Sequence, residues 1–393
     1  MTNALILIAT VAALGLLLMP RVLGSQLFRA TVTPLASIIG SGFLVLGPIL
    51  DSAYGLWAPL VMGLLCLLAW VFGAAVRHNI AALDGQGGWP GRAARRIEQV
   101  SSWALAFAYF ISVAYYLNLF GAFAVSLTDL SDPVHARQVT SGVLLVILLV
   151  GWTSGFGALE RMEQVTVSIK LAIILGLLVG LVIYFTGQAQ AGALVLNPAH
   201  QTGWSALTLG FGLIVTVQGF ETSRYLGDEY DAAMRIRSMR LAQIVATAIY
   251  MIYIGLLAYA FPTGRMELNE TAIIDLMAVV APILPVLLVA AALAAQFSAA
   301  VADTAGSGGL IHELTGGRIR PRVAYAVLVG FGLLLTWVSD VFQIIAYASR
   351  AFATYYALQA VLAALAARGG RRAAFLVLAA LGAAIAIFGV PVE

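Results

Sequence analysis

Long apolar runs dominate this sequence and restrict how it can fold. Twelve stretches reach the length that a membrane-spanning helix needs, which is about 17–25 residues. They fall at about 3–19, 30–50, 54–76, 101–127, 138–155, 164–186, 203–226, 240–262, 283–309, 323–339, 342–367 and 373–390. Charged residues make up only 10% of the chain, against about 25% in soluble proteins. The sequence therefore predicts an all-α integral membrane protein with about twelve transmembrane helices.

Arginines are distributed unevenly between the loops. We number the run at 30–50 as span 1, the run before it as span 0 and the last run as span 11. One set of alternate loops then holds sixteen arginines, and the other holds only Arg137 and Arg265. Because basic residues stay on the cytoplasmic side, span 1 is predicted to start in the cytoplasm. Both termini then face outward, in a multi-pass protein of the inner membrane. The segment 267–281 is predicted as a short amphipathic helix in an outer loop.

Other sequence features argue against several classes of function. Cys66 is the only cysteine, so no internal disulfide can form. A histidine-based metal site is not expected, because no ligand spacing relates the four histidines, which are His78, His135, His200 and His312. The sequence has no patch of basic and aromatic residues that would indicate nucleic-acid binding. It also has no cluster of a nucleophile and a base that would indicate an enzyme. The expected partners are a small-molecule substrate and the lipid bilayer, with no cofactor.

Five charged residues lie inside the apolar runs: Lys170, Glu221, Arg224, Asp303 and Arg350. A charge at the centre of a bilayer costs about 2.5–3.5 kcal/mol on insertion scales, so such residues are usually paired or functional. Lys170 is the only lysine in the chain. A buried lysine can release its proton near neutral pH, whereas a guanidinium stays charged. Lys170 is therefore a candidate proton-carrying group, unless it simply snorkels to the inner surface.

Two spans contain glycine and polar residues near their middle. Span 1 reads TVTPLASIIGSGFLVLGPIL, with Gly40, Ser41 and Gly42 at its centre. Span 6 reads GFGLIVTVQGFETSRYLGDEY, with Gly219 before a polar cluster. Interrupted helices at corresponding places in two halves are typical of inverted-repeat transporters, whose unwound segments bind substrate at the membrane midplane. The alternative is close helix packing through small residues.

Several motifs follow one another in an order that is typical of one transporter family. IIGSGFLVLGP resembles its span 1 signature, DGQGGWPGRAARR its inner loop before span 3, and ERMEQVTVSIKLAIILG its span 5. GFETSRYLGDEYDAAMRIRSMRLAQ resembles its span 6 with the following loop, and ELTGGRIRP its loop after span 8. Between about residues 29 and 367, the chain thus resembles the amino acid–polyamine–organocation (APC) superfamily, which has the leucine-transporter (LeuT) fold. Span 0, a single span after span 10, and the near absence of lysine depart from the family pattern.

This resemblance implies a 5+5 inverted repeat with broken spans 1 and 6. Residues 29–186 would form the first repeat and residues 187–367 the second. Residues 1–28 would add an N-terminal helix, and residues 368–393 a C-terminal one. The implied function is proton-coupled secondary active transport of an amino acid or related small amine by alternating access. A sodium-coupled symporter is one alternative, and a transporter of a small anionic or other non-amino-acid solute is another.

The resemblance also implies a substrate site at the two breaks. Amide groups of the span 1 glycine segment would bind a carboxylate, as the N-termini of helices do. Backbone carbonyls of span 6 would take the amino group. Phe220 is either an aromatic gate or a core residue, and Glu221 either senses pH or pairs with an arginine. The predicted substrate-binding residues are Gly40, Ser41, Gly42, Tyr116, Val217, Gly219, Phe220 and Glu221.

A separate ion-coupling group is implied between spans 1, 5 and 8. In proton-coupled relatives, a span 5 lysine occupies the place where sodium-coupled relatives hold sodium, and Lys170 matches it. The family pattern puts Ser298 at the hydroxyl position of that cation site. Asp303, further along span 8, could pair with Lys170, hold sodium or face an inner vestibule. With Glu221, these residues predict H⁺ as the coupling ion, and Na⁺ is the alternative.

The spacing of the repeats suggests a role for Arg350. Gly40 precedes Lys170 by 130 residues, and Gly219 precedes Arg350 by 131. Since spans 5 and 10 would be related by the repeat, Arg350 is predicted at the mirror position of Lys170, near the span 6 break. There it would form a buried ion pair with Glu221 or meet an anionic group of the substrate.

Overall fold

The computed structural model describes residues 1–40, 42–84, 88–89, 91–153, 163–227, 229–262 and 268–392. Over these ranges the chain forms α-helices and short 3₁₀ turns, with no β-strand. Eight helical stretches are long and apolar enough to cross a membrane. The prediction of an all-α, multi-pass membrane protein is thereby confirmed.

The helices are numbered in chain order. They are α1 Thr2–Leu17, α2 Pro20–Leu23, α3 Gln26–Ile38, α4 Gly42–Tyr54, α5 Ala58–Leu83, α6 Arg92–Val125, α7 Pro133–Thr153, α8 Glu163–Gln190, α9 Gly203–Gly212, α10 Ala232–Ala258, α11 Ala272–Val280, α12 Leu284–Leu314, α13 Pro321–Val338, α14 Val341–Ala366 and α15 Gly370–Phe388. The 3₁₀ turns are Gly55–Trp57, Ile214–Val217 and Phe220–Tyr225. Span 0 corresponds to α1. Spans 2, 3, 4 and 5 correspond to α5, α6, α7 and α8, in that order. Spans 7, 8, 9, 10 and 11 correspond to α10, α12, α13, α14 and α15.

The eight spanning stretches are fewer than the twelve predicted spans for physical reasons. Span 0 forms a helix of only 16 residues. Spans 1 and 6 are each divided, and the second half of span 1 continues through a 3₁₀ turn into span 2 as Gly42–Leu83. Span 10 is one helix of 26 residues but carries Gln343, Arg350 and Gln359, which make it less apolar.

Side-chain caps and prolines mark where several helices begin. The Asp231 side chain accepts a hydrogen bond from the amide of Met234 at the start of α10. Asp340 and Gln343 form a reciprocal capping box at the start of α14. Pro321 stands in the first turn of α13. Each device satisfies or removes a backbone N–H that has no partner within the helix.

The centre of the bundle is α6, in which 83% of the residues in an apolar stretch of 18 are buried. It packs against α7, α12, α13 and α14. At the edge, α1 packs along α8. The close approach depends on Gly176 and Gly180 of α8, since a Cβ at Gly180 would lie 3.0 Å from the Cδ1 atom of the fully buried Ile6. Small residues one turn apart allow membrane helices to pack this closely.

Candidate functional site

Span 1 is divided into two helices. The first, α3, ends at Ile38, and α4 begins at Gly42. Gly40 lies in the gap between them, and Ser41 lies outside the described residues. The gap is closely packed, because a Cβ at Gly42 would stand 2.9 Å from the Cα atom of Thr216 in span 6. The break in span 1 therefore contacts span 6, which was also predicted to be interrupted.

Span 6 departs from α-helical geometry over a longer stretch. Its helix α9 ends at Gly212, and two 3₁₀ turns follow. Between the turns, Gln218 is extended and Gly219 has a φ of +114°, a conformation that favours glycine. A Cβ at Gly219 would also come within 2.6 Å of the backbone carbonyl carbon of Ser37. Only glycine fits here, where the span 6 backbone passes directly over the end of α3.

Side chains from neighbouring helices satisfy backbone groups that the two breaks leave without helical partners. The Tyr250 hydroxyl of α10 lies 2.9 Å from the carbonyl oxygen of Ile38 and 2.6 Å from that of Thr216. Ser349 of α14 accepts a hydrogen bond from the Val215 amide at 3.0 Å. Because an unpaired backbone group inside a membrane costs several kcal/mol, these side chains stabilise the breaks.

The Glu221 carboxylate is fully buried at the span 6 break. Its Oε2 atom accepts hydrogen bonds from the Gly219 amide at 3.0 Å and from the Tyr356 hydroxyl at 2.8 Å. Within the described part of the chain, its Oε1 atom has no hydrogen-bond partner. Gln218 donates to the Tyr116 hydroxyl at 3.0 Å, and its own Oε1 is also unpartnered there. Two buried acceptor oxygens are thus available to a donor such as an ammonium group.

Phe220 lies in an aromatic stack beside this carboxylate. Its ring stacks on Tyr356 with 5.1 Å between centroids, and Tyr356 stacks on Phe72 at 5.3 Å. Phe220 is 1% exposed. In this structure, it therefore packs as a core residue that also covers one side of the Glu221 site.

Lys170 reaches across from α8 to the span 1 break. It is 4% exposed, so it is enclosed by protein and does not snorkel to the surface. Its Nζ atom donates a hydrogen bond of 2.9 Å to the carbonyl oxygen of Ala36, near the end of α3. It also lines a narrow space with Gly40 of the break and with Ala292 and Ala295 of α12. Lys170 thus lies between spans 1 and 8.

The two predicted polar residues of α12 have different surroundings. Asp303 is buried and accepts a hydrogen bond from the Ser112 hydroxyl of α6. No salt bridge between described residues joins Asp303 to Lys170. Ser298 is partly buried on the same helix. Across the described ranges, no group of three or more histidine, cysteine or acidic residues could hold a metal ion.

The predicted ion pair between Arg350 and Glu221 is not formed. Arg350 is exposed on α14, and its Nε atom donates to the carbonyl oxygen of Ala386 in α15 at 2.8 Å. The reason is helical phase, since consecutive residues point about 100° apart on a helix. Ser349 and Tyr356 face the span 6 break, which turns Arg350 away from it. Spacing along the chain did not reveal on which face of α14 Arg350 lies.

Residues 20–389, nearly the whole chain, match a family of membrane proteins that is described as APC superfamily transporters. The chain belongs to this superfamily. An uncharacterized protein of Aquifex aeolicus (strain VF5) is 39% identical over 370 residues, which cover 92% of this chain and 90% of the relative. The family match begins after α1, which ends at Leu17. A transporter family is consistent with transport rather than catalysis.

This APC superfamily transporter has a second buried polar cluster where span 6 ends. Arg224 forms a salt bridge of 2.6 Å with Glu98 of α6 and a hydrogen bond with Gln359 of α14. Gln359 donates to the Ser101 hydroxyl at 2.8 Å and accepts from the Asn79 side chain at 2.9 Å. We call these five residues the polar lock, because they tie α5, α6, the end of span 6 and α14 together.

Sequence analysis did not identify most residues of the polar lock. Only Arg224 lies among the charges inside the predicted spans. Glu98 lies before residue 101, where span 3 was predicted to start. The prediction started there because the nearby arginines made this part of α6 resemble a loop. One signal was available: Glu98 and Ser101 are three residues apart, so both fall on one face of a helix that extends back to Arg92.

Glu98→Gln is expected to destabilise the transporter by weakening the polar lock. The glutamine can still accept a hydrogen bond, but the 7% exposed Arg224 loses the opposing charge. Because Glu98 is partly exposed, we expect a loss of about 1–3 kcal/mol, the range for an unmet hydrogen-bonding partner, and not the larger value for a deeply buried pair. Thermal unfolding in detergent measures this loss. Glu313→Gln, at an exposed carboxylate of α12, is the matched control. An equal melting temperature for both variants would contradict the role of the lock.

Proposed function

We propose that this APC superfamily transporter is a proton-coupled secondary active transporter that moves an amino acid or a related small amine by alternating access. It would have the LeuT-type 5+5 inverted repeat, with repeats at 29–186 and 187–367 and extra helices within 1–28 and 368–393. On the arginine distribution, it would lie in the inner membrane with both termini outside. The observation that carries the proposal is the contact between the two breaks, with unpartnered acceptor oxygens buried beside it.

The proposed substrate binds between the two breaks. Its ammonium group would donate to the free oxygens of Glu221 and Gln218 and to the backbone carbonyls that run from Val217 to Gly219. Its carboxylate would accept from the amides at the start of α4, where the N-terminus of a helix favours negative charge. Gly40 and Gly42 suit this role because they place no side chain between these amides and a bound carboxylate, and sequence alone assigns Ser41 to the same group. Such a site recognises both ends of a zwitterion.

The proposed coupling step is the protonation of Lys170. A protonated lysine makes a charge-assisted hydrogen bond to the Ala36 carbonyl, which ties α8 to α3. Loss of the proton weakens that tie and allows α3 to move relative to α8. This arrangement favours H⁺ over Na⁺, because the amine stands where a sodium ion would need oxygen ligands. Glu221, which is buried at the span 6 break, would respond to the same proton gradient.

The polar lock would close the cytoplasmic route in this scheme. It lies where span 6 ends, and Arg235 and Arg237 follow in the first two turns of α10. Opening toward the cytoplasm would separate α6 and α14 from the end of span 6. The Glu98–Arg224 salt bridge would break in each cycle, which suits a pair in which the Glu98 side chain is partly exposed.

A ligand screen tests the proposal directly. Purified protein is heated with amino acids, amines or small anions, at two pH values, with and without sodium. Binding to the folded state alone stabilises it by about 2.7 kcal/mol when the ligand is present at a hundred times its Kd. We expect an amino acid or small amine to raise the melting temperature in a pH-dependent way. Stabilisation by anions that lack an amine, or only with sodium, would instead support one of the alternative functions.

A further inference from the structure

A groove on the outside of the bundle runs between α6, α13, α14 and α15. It has a volume of about 400 Å³. Its walls are largely apolar, with Phe107 and Ile111 on α6 and Phe331 and Leu335 on α13. Arg350 contributes the only charged side chain among the described residues that line it. A cation in an apolar groove that faces the bilayer needs an explanation, because the transport site does not use it.

The Arg350 guanidinium lies level with the end of α15, although its backbone lies well inside α14. Arg350 is nine residues into α14, which corresponds to about 14 Å from the start of that helix. Its Nε atom nevertheless binds the Ala386 carbonyl, two residues before α15 ends at Phe388. The Phe388 ring packs edge-on against Trp204, which is 60% exposed. Tryptophans are enriched at the level of lipid headgroups, and we therefore place the guanidinium at the depth of a phosphate.

We propose that this groove binds an anionic phospholipid from the leaflet in which α14 begins. The Arg350 Nη groups make no hydrogen bond to described residues, so they can donate to two oxygens of one phosphate. An acyl chain then lies along Phe107 and Phe331. No carboxylate lines the described walls to hold a choline or ethanolamine group, which selects against zwitterionic lipids. The bound phosphate offsets the cost of a cation at the lipid-facing surface.

Native mass spectrometry of the delipidated protein tests this site. Titration with phosphatidylglycerol is compared with titration with phosphatidylcholine. We expect the wild type to prefer phosphatidylglycerol, and Arg350→Gln to weaken its binding about tenfold or more, as loss of a charged hydrogen bond implies. Arg350→Lys should retain most of the preference. Arg137→Gln is the matched control, because Arg137 lies at the start of α7 on the same side of the membrane and outside the groove.

A second variant tests the groove without changing its charge. Ala351→Phe adds a ring to the lining and should exclude the acyl chain, so phosphatidylglycerol binding falls while Arg350 stays in place. If Arg350→Gln does not elute as a monodisperse, helical protein, phosphatidylglycerol binding by Ala351→Phe tests the proposal instead. Equal binding of the two lipids by the wild type would overturn the proposal. So would unchanged selectivity in both variants, because Arg350 would then serve only to satisfy the Ala386 carbonyl.

Discussion

Lys170→Ala is expected to reduce proton-driven uptake by the reconstituted transporter at least about tenfold. The substitution removes the hydrogen bond from Nζ to the Ala36 carbonyl, which joins α8 to the end of α3. A hydrogen bond with a charged donor is worth about 1.5–3 kcal/mol, so the coupled rate should fall at least about tenfold. Uptake of the substrate found in the ligand screen, driven by an inward pH gradient across liposomes, measures the effect.

Lys170→Arg separates proton release from positive charge. Arginine keeps a cation near the Ala36 carbonyl but does not lose it at physiological pH. We therefore expect Lys170→Arg to be as inactive as Lys170→Ala in proton-driven uptake. Ile169→Ala, at a side chain that points outward on the same helix, is the matched control and should transport normally. Full activity of Lys170→Arg would mean that the residue is structural. A sodium-driven activity that is lost in Ser298→Ala would favour sodium coupling.

The features to which sequence reasoning drew attention are those with a strong local cause. Glycines and polar residues inside an apolar run lower helix stability, and both predicted interruptions, at Gly40 and at Gly219, fall where the structure leaves α-helical geometry. Lys170 stood out because a buried ammonium group is costly in a bilayer. These signals depend on a few neighbouring residues, and therefore they can be recognised without knowledge of the fold.

The features that were missed depend on how distant helices face each other. Glu221 bonds to Tyr356, which is 135 residues away, and Asp51 bonds to Asn197, which is 146 residues away. No pattern along the chain reveals such pairs. Arg350 shows the same limit, because the preceding residue of α14, Ser349, bonds to the span 6 break while Arg350 itself is exposed on another face of the helix.

Glu221→Gln is expected to weaken substrate binding strongly while leaving the fold intact. The amide oxygen of glutamine can still accept from the Gly219 amide and the Tyr356 hydroxyl, so the span 6 break keeps its hydrogen bonds. The negative charge that would hold an ammonium group is lost. We expect affinity to fall by about ten- to a hundredfold, as removal of a charged hydrogen bond of about 1.5–3 kcal/mol implies. Isothermal titration of the purified protein with the substrate measures this change.

Tyr356→Phe shows whether the effect comes from charge or from shape. It removes one donor to the Glu221 Oε2 atom but keeps the ring that stacks on Phe220. If the carboxylate binds an ammonium group through Oε1, Tyr356→Phe should retain most of the affinity, because the charge remains and the bonding oxygen is unaffected. A melting temperature close to that of the wild type in both variants excludes unfolding as the cause. Wild-type affinity in Glu221→Gln would remove Glu221 from the substrate site and make its carboxylate a structural group of the span 6 break.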